Sequence, residues 1–337
     1  MTAERTLRWG ILGTANIATK VSKAIQSTDG CELTTIGSRD LDKAKAWGVR
    51  HNVPHSVGSY QAVIDDPNID AIYIPLPPNL HLEWIERAAH AGKHVLVEKP
   101  VAISISAARE MVDVARTHNI HLMDGVMWVH HPRTQMMQAV VDSGELGTLR
   151  RMTSAFSFCW DPLPTSNIRF STETGGGSLL DLGWYTVGAT LLLGCNRLPQ
   201  RVQASARWFQ DVDVSFSGTM WFENNFVAGF DTAFDTATRR WLEIAGTEKS
   251  IVCDDFVLPW SDEKSGFWVH GDAGQSEKRT SPPAVQQNNM IADFRDLILG
   301  RRKENPWIEW SLKVQQVCDA LALSARKEQP VELREDR

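Results

Sequence analysis

The segment GGGSLLDLGWYTVGATLLLG, from Gly175 to Gly194, is as apolar as a buried helix, yet it carries Asp181 and Tyr185 four residues apart. If the segment is helical, that spacing puts a carboxylate and a phenol on one face, an acid–base pair at a single spot. The three glycines in front let the backbone approach a neighbour closely and turn into the helix. A plainer reading makes Asp181 the cap of the first helical turn. A membrane span is disfavoured, because a central aspartate costs about 2.5–3.5 kcal/mol in a bilayer and the glycines weaken a long helix.

A second candidate lies in HVLVEKPVAIS, where an apolar strand runs directly into Glu98, Lys99 and Pro100. Proline disfavours the helical region for the residue before it, so Lys99 projects from the carboxyl edge of the strand. The alternative is a solvated surface lysine. A third is GILGTANIA, whose frame Gly13-Thr14-Ala15-Asn16-Ile17-Ala18 matches GxGxxG with alanine at the second and third glycines. Gly13 suits the tight turn, Ala15 adds one methyl where a pyrophosphate would approach, and Ala18 is small enough for helix–strand packing. The amides of Thr14 to Ile17 would then face phosphate at a helix N-terminus. An ordinary strand–helix turn is the competing reading.

In IGSRDLDKAKAW, Ser38 and Arg39 stand where NAD-binding folds place an acidic residue, and Lys43 follows one helical turn later. A hydroxyl and two cations suit a 2′-phosphate, which favours NADP(H) and leaves NAD(H) possible. Alternatively, Arg39 only pairs with Asp42. In IYIPLPPNLHLEW the prolines end a strand, and Pro75, Leu76, Asn79 and His81 become candidate cofactor contacts. Asn79 can equally cap the next helix, with His81 in its first turn.

These residues need a frame. Up to about residue 124, the runs LRWGIL, LTTIG, AIYIPL, HVLVE and IHLMD alternate with helix-like spacing at Asn16–Ser27, Leu41–His51, Leu80–Ala91 and Ser104–His118. That alternation predicts βαβ units in a parallel sheet, with ligands just beyond the carboxyl ends of the strands. Beyond it, Arg201–Ala206, Ser215–Phe222, Phe226–Phe234, Leu242–Ala245 and Ser250–Asp254 read as strands of an antiparallel sheet, with Asn224-Asn225 in a tight turn. Two helices close the chain, one with Met290, Ile291, Phe294, Leu297 and Ile298 on one stripe, the other starting near Ser311 as N-cap. The expected domains are 1–124, nucleotide-binding, and 125–337, with the C-terminal helices able to pack back on the first.

Composition narrows the class. The 337 residues are 42% apolar and 23% charged, as in a globular protein of two domains. A net charge of −6 argues against nucleic acid as partner. Five scattered cysteines and the absence of a signal-like N-terminal core suggest a reducing, cytoplasmic setting. Ten histidines without HExxH or CxxC suggest no metal.

Taken in order, GILGTANIA, GSRDLDKA, PLPPNLH, VEKP and GGGSLLDLGWY resemble the Gfo/Idh/MocA oxidoreductases, from about Leu7 to Pro330. The pattern is most similar to the NADP-dependent branch with dihydrodiol and xylose dehydrogenases and glucose–fructose oxidoreductase. The resemblance implies an N-terminal Rossmann domain with a doubly wound parallel sheet, then a C-terminal α/β domain with a largely antiparallel open sheet. It implies a carbohydrate, polyol or cyclic diol substrate, a homodimer or homotetramer built through that open face, and no membrane partner. Lys99, Asp181 and Tyr185 would line the nicotinamide site as the catalytic set, with Glu98 beside the cofactor.

A free tyrosine titrates near pH 10, and a neighbouring Lys99 ammonium would lower that value. Tyr185 would then exchange the hydroxyl proton, Lys99 would stabilise alkoxide charge, and Asp181 would orient Lys99 or the substrate. Arg169, Trp160 and His131 are candidate substrate contacts. Trp128, Trp160 and Trp184 could stack on sugar, although core packing is the plainer reading in a chain with 13 tryptophans. Asp124 and Val129 depart from the glutamate and arginine that relatives often carry in the DGVMWVHHPR stretch. Two alternatives share the fold: a nucleotide-sensing regulator that has lost catalysis, and a sugar oxidoreductase that keeps its cofactor bound.

Overall fold

The structure is a computed structural model that describes residues 5–194, 196–261 and 263–333. The chain divides into two compact units: the part up to His130 with Val285–Glu309, and His131–Ala284 with the chain from Trp310 on.

In the first unit the elements follow as β1 (Leu7–Leu12), α1 (Ala18–Ser27), β2 (Cys31–Gly37), α2 (Leu41–His51), β3 (His55–Val57), α3 (Tyr60–Ile64), β4 (Ala71–Ile74), α4 (His81–His90), β5 (His94–Val97), α5 (Ile105–Thr117) and β6 (Leu122–Asp124). The strands form one parallel sheet in the order β3-β2-β1-β4-β5-β6. Every residue of β4 is buried, and so is all of β5 after His94, which is why both read as unbroken apolar runs. The strand order reverses between β1 and β4. That switch point opens a crevice beyond their carboxyl ends, where the Gly13 and Pro75 loops begin. The short β3 and α3 are additions to the expected elements.

The second unit starts with α6 (Pro132–Asp142) and β7 (Arg151–Cys159). A π turn (Leu179–Gly183) runs straight into α7 (Trp184–Gly194). The strands β8 (Arg201–Phe209), β9 (Val212–Trp221), β10 (Val227–Ala233), β11 (Asp235–Ala245), β12 (Ser250–Cys253), β13 (Gly266–His270) and β14 (Ser276–Thr280) follow. After them come α8 (Gln286–Ile298), α9 (Pro306–Lys327) and β15 (Val331–Glu332).

A nine-stranded sheet takes the order β14-β13-β12-β11-β7-β10-β9-β8-β15 and is antiparallel except for the β7/β10 pair. Asn224 and Asn225, at φ +59° and +60°, connect β9 to β10 as the tight turn requires. The alternation on β9 is plain: Val214, Phe216 and Met220 are buried, while Ser217, Thr219 and Trp221 are not. β7, β13 and β14 are additions to the sequence reading.

α8 belongs to the first unit. Its Met290, Ile291, Phe294 and Leu297 join Leu7, Trp9, Ile11, Val21 and Ile25 in one core, with the Trp9 and Phe294 rings 5.6 Å apart. The start expected for the last helix needs correction. α9 begins at Pro306, and Ser311 lies buried inside it. Proline at the first helical position sacrifices no intrahelical bond, so it opens the helix a turn earlier than the serine suggested. No helix among the described residues is long and apolar enough to cross a membrane.

Candidate active site

Gly13 ends β1 at φ +104°, a conformation side chains rarely adopt. A Cβ there would also press on Leu76 Cδ2 at 3.2 Å and Tyr60 Oη at 3.5 Å. Its amide donates to Gly37 O at 2.8 Å and ties the loop to the end of β2. Thr14, Ala15 and Ile17 are half-buried and Asn16 is exposed. α1 has no side-chain cap and no acidic residue in its first turn. The amides of Ala18, Thr19 and Lys20 donate to the carbonyls of Ala15, Asn16 and Ile17 at 3.0, 3.2 and 3.0 Å, so it is the positive dipole end, with the loop before it, that suits a pyrophosphate.

At the end of β2, Ser38 is buried and its hydroxyl accepts the Asp40 amide at 3.2 Å. Asp40 caps α2, accepting the amides of Asp42 and Lys43 at 3.0 and 3.1 Å. Arg39 is exposed, and Lys43 Nζ lies 3.8 Å from Asp40. Asp40 thus shares Lys43 through its second oxygen, and Ser38 and the exposed Arg39 keep a hydroxyl and a guanidinium at this edge. That chemistry suits a 2′-phosphate.

Pro75 and Leu76 are buried just beyond β4, and Asn79 is exposed. The N-cap position of α4 is Leu80, without a side-chain bond, so Asn79 does not cap that helix. His81 is fully buried, with Nδ1 2.9 Å from Val101 O and Nε2 2.8 Å from Leu76 O. Burial lowers its pKa, against the pull of the Val101 and Leu76 carbonyls. The ring braces the loop after β4 against the segment after Lys99. Glu98 Oε1 accepts the Tyr73 hydroxyl at 2.6 Å, and Oε2 accepts the Lys99 amide at 3.2 Å. The half-buried Lys99 thus follows a carboxylate anchored to the neighbouring strand, and the Lys99–Pro100 bond is cis.

In the second unit, Asp181 lies inside the π turn and Tyr185 in the first turn of α7. Single π turns recur at functional sites because they re-aim side chains without ending a helix. Asp181 does not serve as a cap. Its Oδ2 accepts Arg169 Nε at 2.6 Å, in an ion pair whose side chains are 12% and 38% exposed. The Arg169 guanidinium also lies 5.9 Å from the Trp160 ring centre. Tyr185 packs edge-on against Phe156 of β7, centroids 5.3 Å apart. Phe156, Phe158 and Trp160 belong to one aromatic cluster with Phe170, Phe209 and Phe234.

This unit therefore gathers Arg169, Asp181 and Trp160 at one place. His131 is buried and caps α6, its Nδ1 accepting the Arg133 amide at 3.0 Å. Trp128 and Trp184 are completely buried, as core residues are. Phe156, Tyr73 and Asp213, a buried aspartate on β9 described below, were not singled out by sequence reasoning. Their signals are ordinary strand residues whose partners are remote in sequence.

A parallel sheet with a switch-point crevice and an uncapped helix start beyond it, followed by an α/β unit with an open antiparallel sheet, is the architecture of a dinucleotide-dependent oxidoreductase. Comparison with known proteins gives the same class. The model of an oxidoreductase family with an NAD-binding Rossmann fold matches residues 7–126, and that of the GFO/IDH/MocA C-terminal domain matches residues 134–252.

The D-xylose 1-dehydrogenase (NADP(+)) 2 of Haloferax volcanii is 36% identical over 333 residues, covering 97% of this chain and 100% of its own. A dTDP-3,4-didehydro-2,6-dideoxy-alpha-D-glucose 3-reductase of Saccharopolyspora spinosa is 33% identical over 307 residues, 89% of this chain and 90% of that one. Among solved structures, a 3-ketoreductase of Actinomadura kijaniata in complex with NADP and TDP-benzene has a TM-score of 0.88 at 29% identity, covering 95% of this chain and 98% of that chain. The chain belongs to the Gfo/Idh/MocA oxidoreductase family. Family and fold class agree with the sequence reading, and the NADP expectation agrees with the cofactor named for these relatives.

Proposed function

We infer that this chain is an NADP(H)-dependent dehydrogenase or reductase that interconverts CH–OH and C=O in a sugar, a polyol or a cyclic diol, with Lys99, Asp181 and Tyr185 as its catalytic set. The observation that carries the reading is the Arg169–Asp181 ion pair on the turn that leads into Tyr185. The sugar substrates named for the two curated relatives support the substrate class. Ser38, Arg39 and Lys43 support the 2′-phosphate form of the cofactor, and the loop from Gly13 to Ile17 would hold its pyrophosphate.

Bound NADP(H) supplies the hydride acceptor and donor. Tyr185 passes the proton to or from the substrate oxygen, and the Lys99 ammonium stabilises negative charge developing there. Arg169 offsets the charge of Asp181 and holds that carboxylate in place to orient its neighbours. Trp160 offers an apolar face to a sugar ring. The first unit is the nucleotide-binding domain and the second binds substrate. Copies of the chain associate through the open sheet face, where Gln203, Ser217, Thr219, Trp221 and Trp241 line a shallow groove.

The test is NADP⁺ reduction across aldoses, inositols and cyclic diols, and NADPH oxidation with the matching carbonyls, for the wild type and Lys99→Met. Turnover with one class, abolished in Lys99→Met while NADPH affinity stays within about threefold, is the expected result. NADPH binding without turnover in either direction would overturn the assignment.

A further inference from the structure

The glycines before the active-site turn lead to a buried group that none of the roles above uses. Asp213, on β9, is 7% exposed, and its Oδ2 accepts the Ser178 hydroxyl at 2.8 Å and the Leu179 amide at 2.7 Å. The Ser178 hydroxyl in turn accepts from Thr232 of β10 at 3.2 Å. Ser178 precedes the π turn but makes no cap bond of its own. The sheet therefore supplies the cap that the helix's own sequence lacks.

Gly177 makes room for it. Its φ is +116°, and a Cβ there would fall 2.1 Å from Asp213 Oδ1. The bonds around this seat reach both members of the ion pair. The Gly177 amide donates to Arg169 O at 3.0 Å, and the Asp181 amide donates to Gly177 O at 3.1 Å.

We propose that Asp213 is a positioning residue for the reaction: by holding Ser178 and Leu179 it sets the π turn that carries Asp181 and leads into Tyr185. The inference rests on the reading that those two residues act on substrate. A small polar cap would hold a helix start at lower cost than a carboxylate between Val212 and Val214. Burial pushes the Asp213 pKa up to about 6, against the pull of its Leu179 and Ser178 hydrogen bonds. Near neutral pH it is still an anion, and charge-assisted bonds fix the turn more firmly than neutral ones.

The experiment uses the whole protein. It has three tyrosines, Tyr60, Tyr73 and Tyr185, so 3-fluorotyrosine labelling gives three resonances, of which Tyr185→Phe identifies one. In Asp213→Ala the Tyr185 resonance should shift or broaden while those of Tyr60 and Tyr73 stay in place. The kcat should fall about tenfold or more with KM for NADP⁺ within about threefold, the signature of misplaced reacting groups. Asp213→Asn keeps an acceptor of the same shape without the charge, and should restore both the resonance and kcat in part.

A folded Asp213→Ala protein with an unmoved Tyr185 resonance, or an Asp213→Asn protein as impaired as Asp213→Ala, would overturn the proposal. Should Asp213→Ala fail to fold, Ser178→Ala decides, because it removes one donor and must shift the same resonance; no shift refutes the proposal. The fluorine readout needs no turnover. A wild type inactive on every substrate would therefore sink the proposed function and leave this question decidable.

Discussion

Burial sets the titration of Asp213, and this has a consequence for stability. A carboxyl near its ordinary value of 3.8 in the unfolded chain rises to about 6 when folded. Between those values the unfolded chain releases its proton first, so rising pH favours unfolding. Stability from this residue is whole below about pH 4, declines as pH rises to about 6, and is level above. The difference of about two pH units corresponds to at most about 3 kcal/mol. Urea unfolding across pH 4 to 7 should show the wild type losing stability relative to Asp213→Asn as pH rises. Both proteins share a background in which histidines of lowered pKa, such as the buried His81 and the half-buried His94, act in the opposite sense. Parallel curves would show that Asp213 does not titrate in this range. Lys99, Asp181 and Tyr185 could be singled out as candidates because each stands out from an apolar run. Asp213 could not, since in VDVSF it alternates with apolar residues just as Ser215 does, ahead of a strand expected only from Ser215, and Ser178, Gly177 and Thr232, which show that it faces inward, are remote in sequence or unremarkable in type.

Periodicity carried the elements where both faces of a strand are covered or one stripe of a helix is buried. α2 was predicted with the bounds it has, and β1 likewise. It failed where other forces set the boundary. The π turn is held from β9, so local spacing predicted an α-helix there. β14 alternates weakly because it is the edge strand and mostly exposed, while in β13 the exposed Trp268 hides the alternation of the buried Phe267 and Val269. α6 shows a further force that pattern cannot reveal. Its Arg133 is fully buried, with Nη1 2.5 Å from Asp255 Oδ1 and Nη2 3.0 and 3.2 Å from the carbonyls of Asp255 and Phe256. Asp255 also accepts the Trp260 amide at 2.5 Å. Removing the cation strands a buried anion and two carbonyls, so Arg133→Met should cost about 3–5 kcal/mol in equilibrium unfolding. A loss below about 1 kcal/mol would mean that water or Arg240 replaces the pair.

Across the whole molecule, the parallel sheet, the antiparallel sheet and their order along the chain were visible in how the apolar period changes. The return of α8 to the first unit was foreseen only as a possibility, because an amphipathic stripe shows that a helix is covered and not by what. Trp9, on the first strand, packs against Phe294. A fragment ending at residue 130 leaves that face of β1 and α1 bare. It should be far more sensitive to proteolysis than the intact protein and unfold at markedly lower urea. A fragment as resistant as the full chain would show that α8 contributes little to that core.

The same feature bears on the order in which the protein can be made. Domains generally fold as units during synthesis, the N-terminal one first. Here the N-terminal unit is finished late, since the helix that closes its core leaves the ribosome only after His131–Ala284 of the second unit. Until then the nascent chain carries a nearly complete parallel sheet with an uncovered apolar face. Most of the second unit must take shape while its partner is unfinished, and it is itself completed only by the chain from Trp310 on.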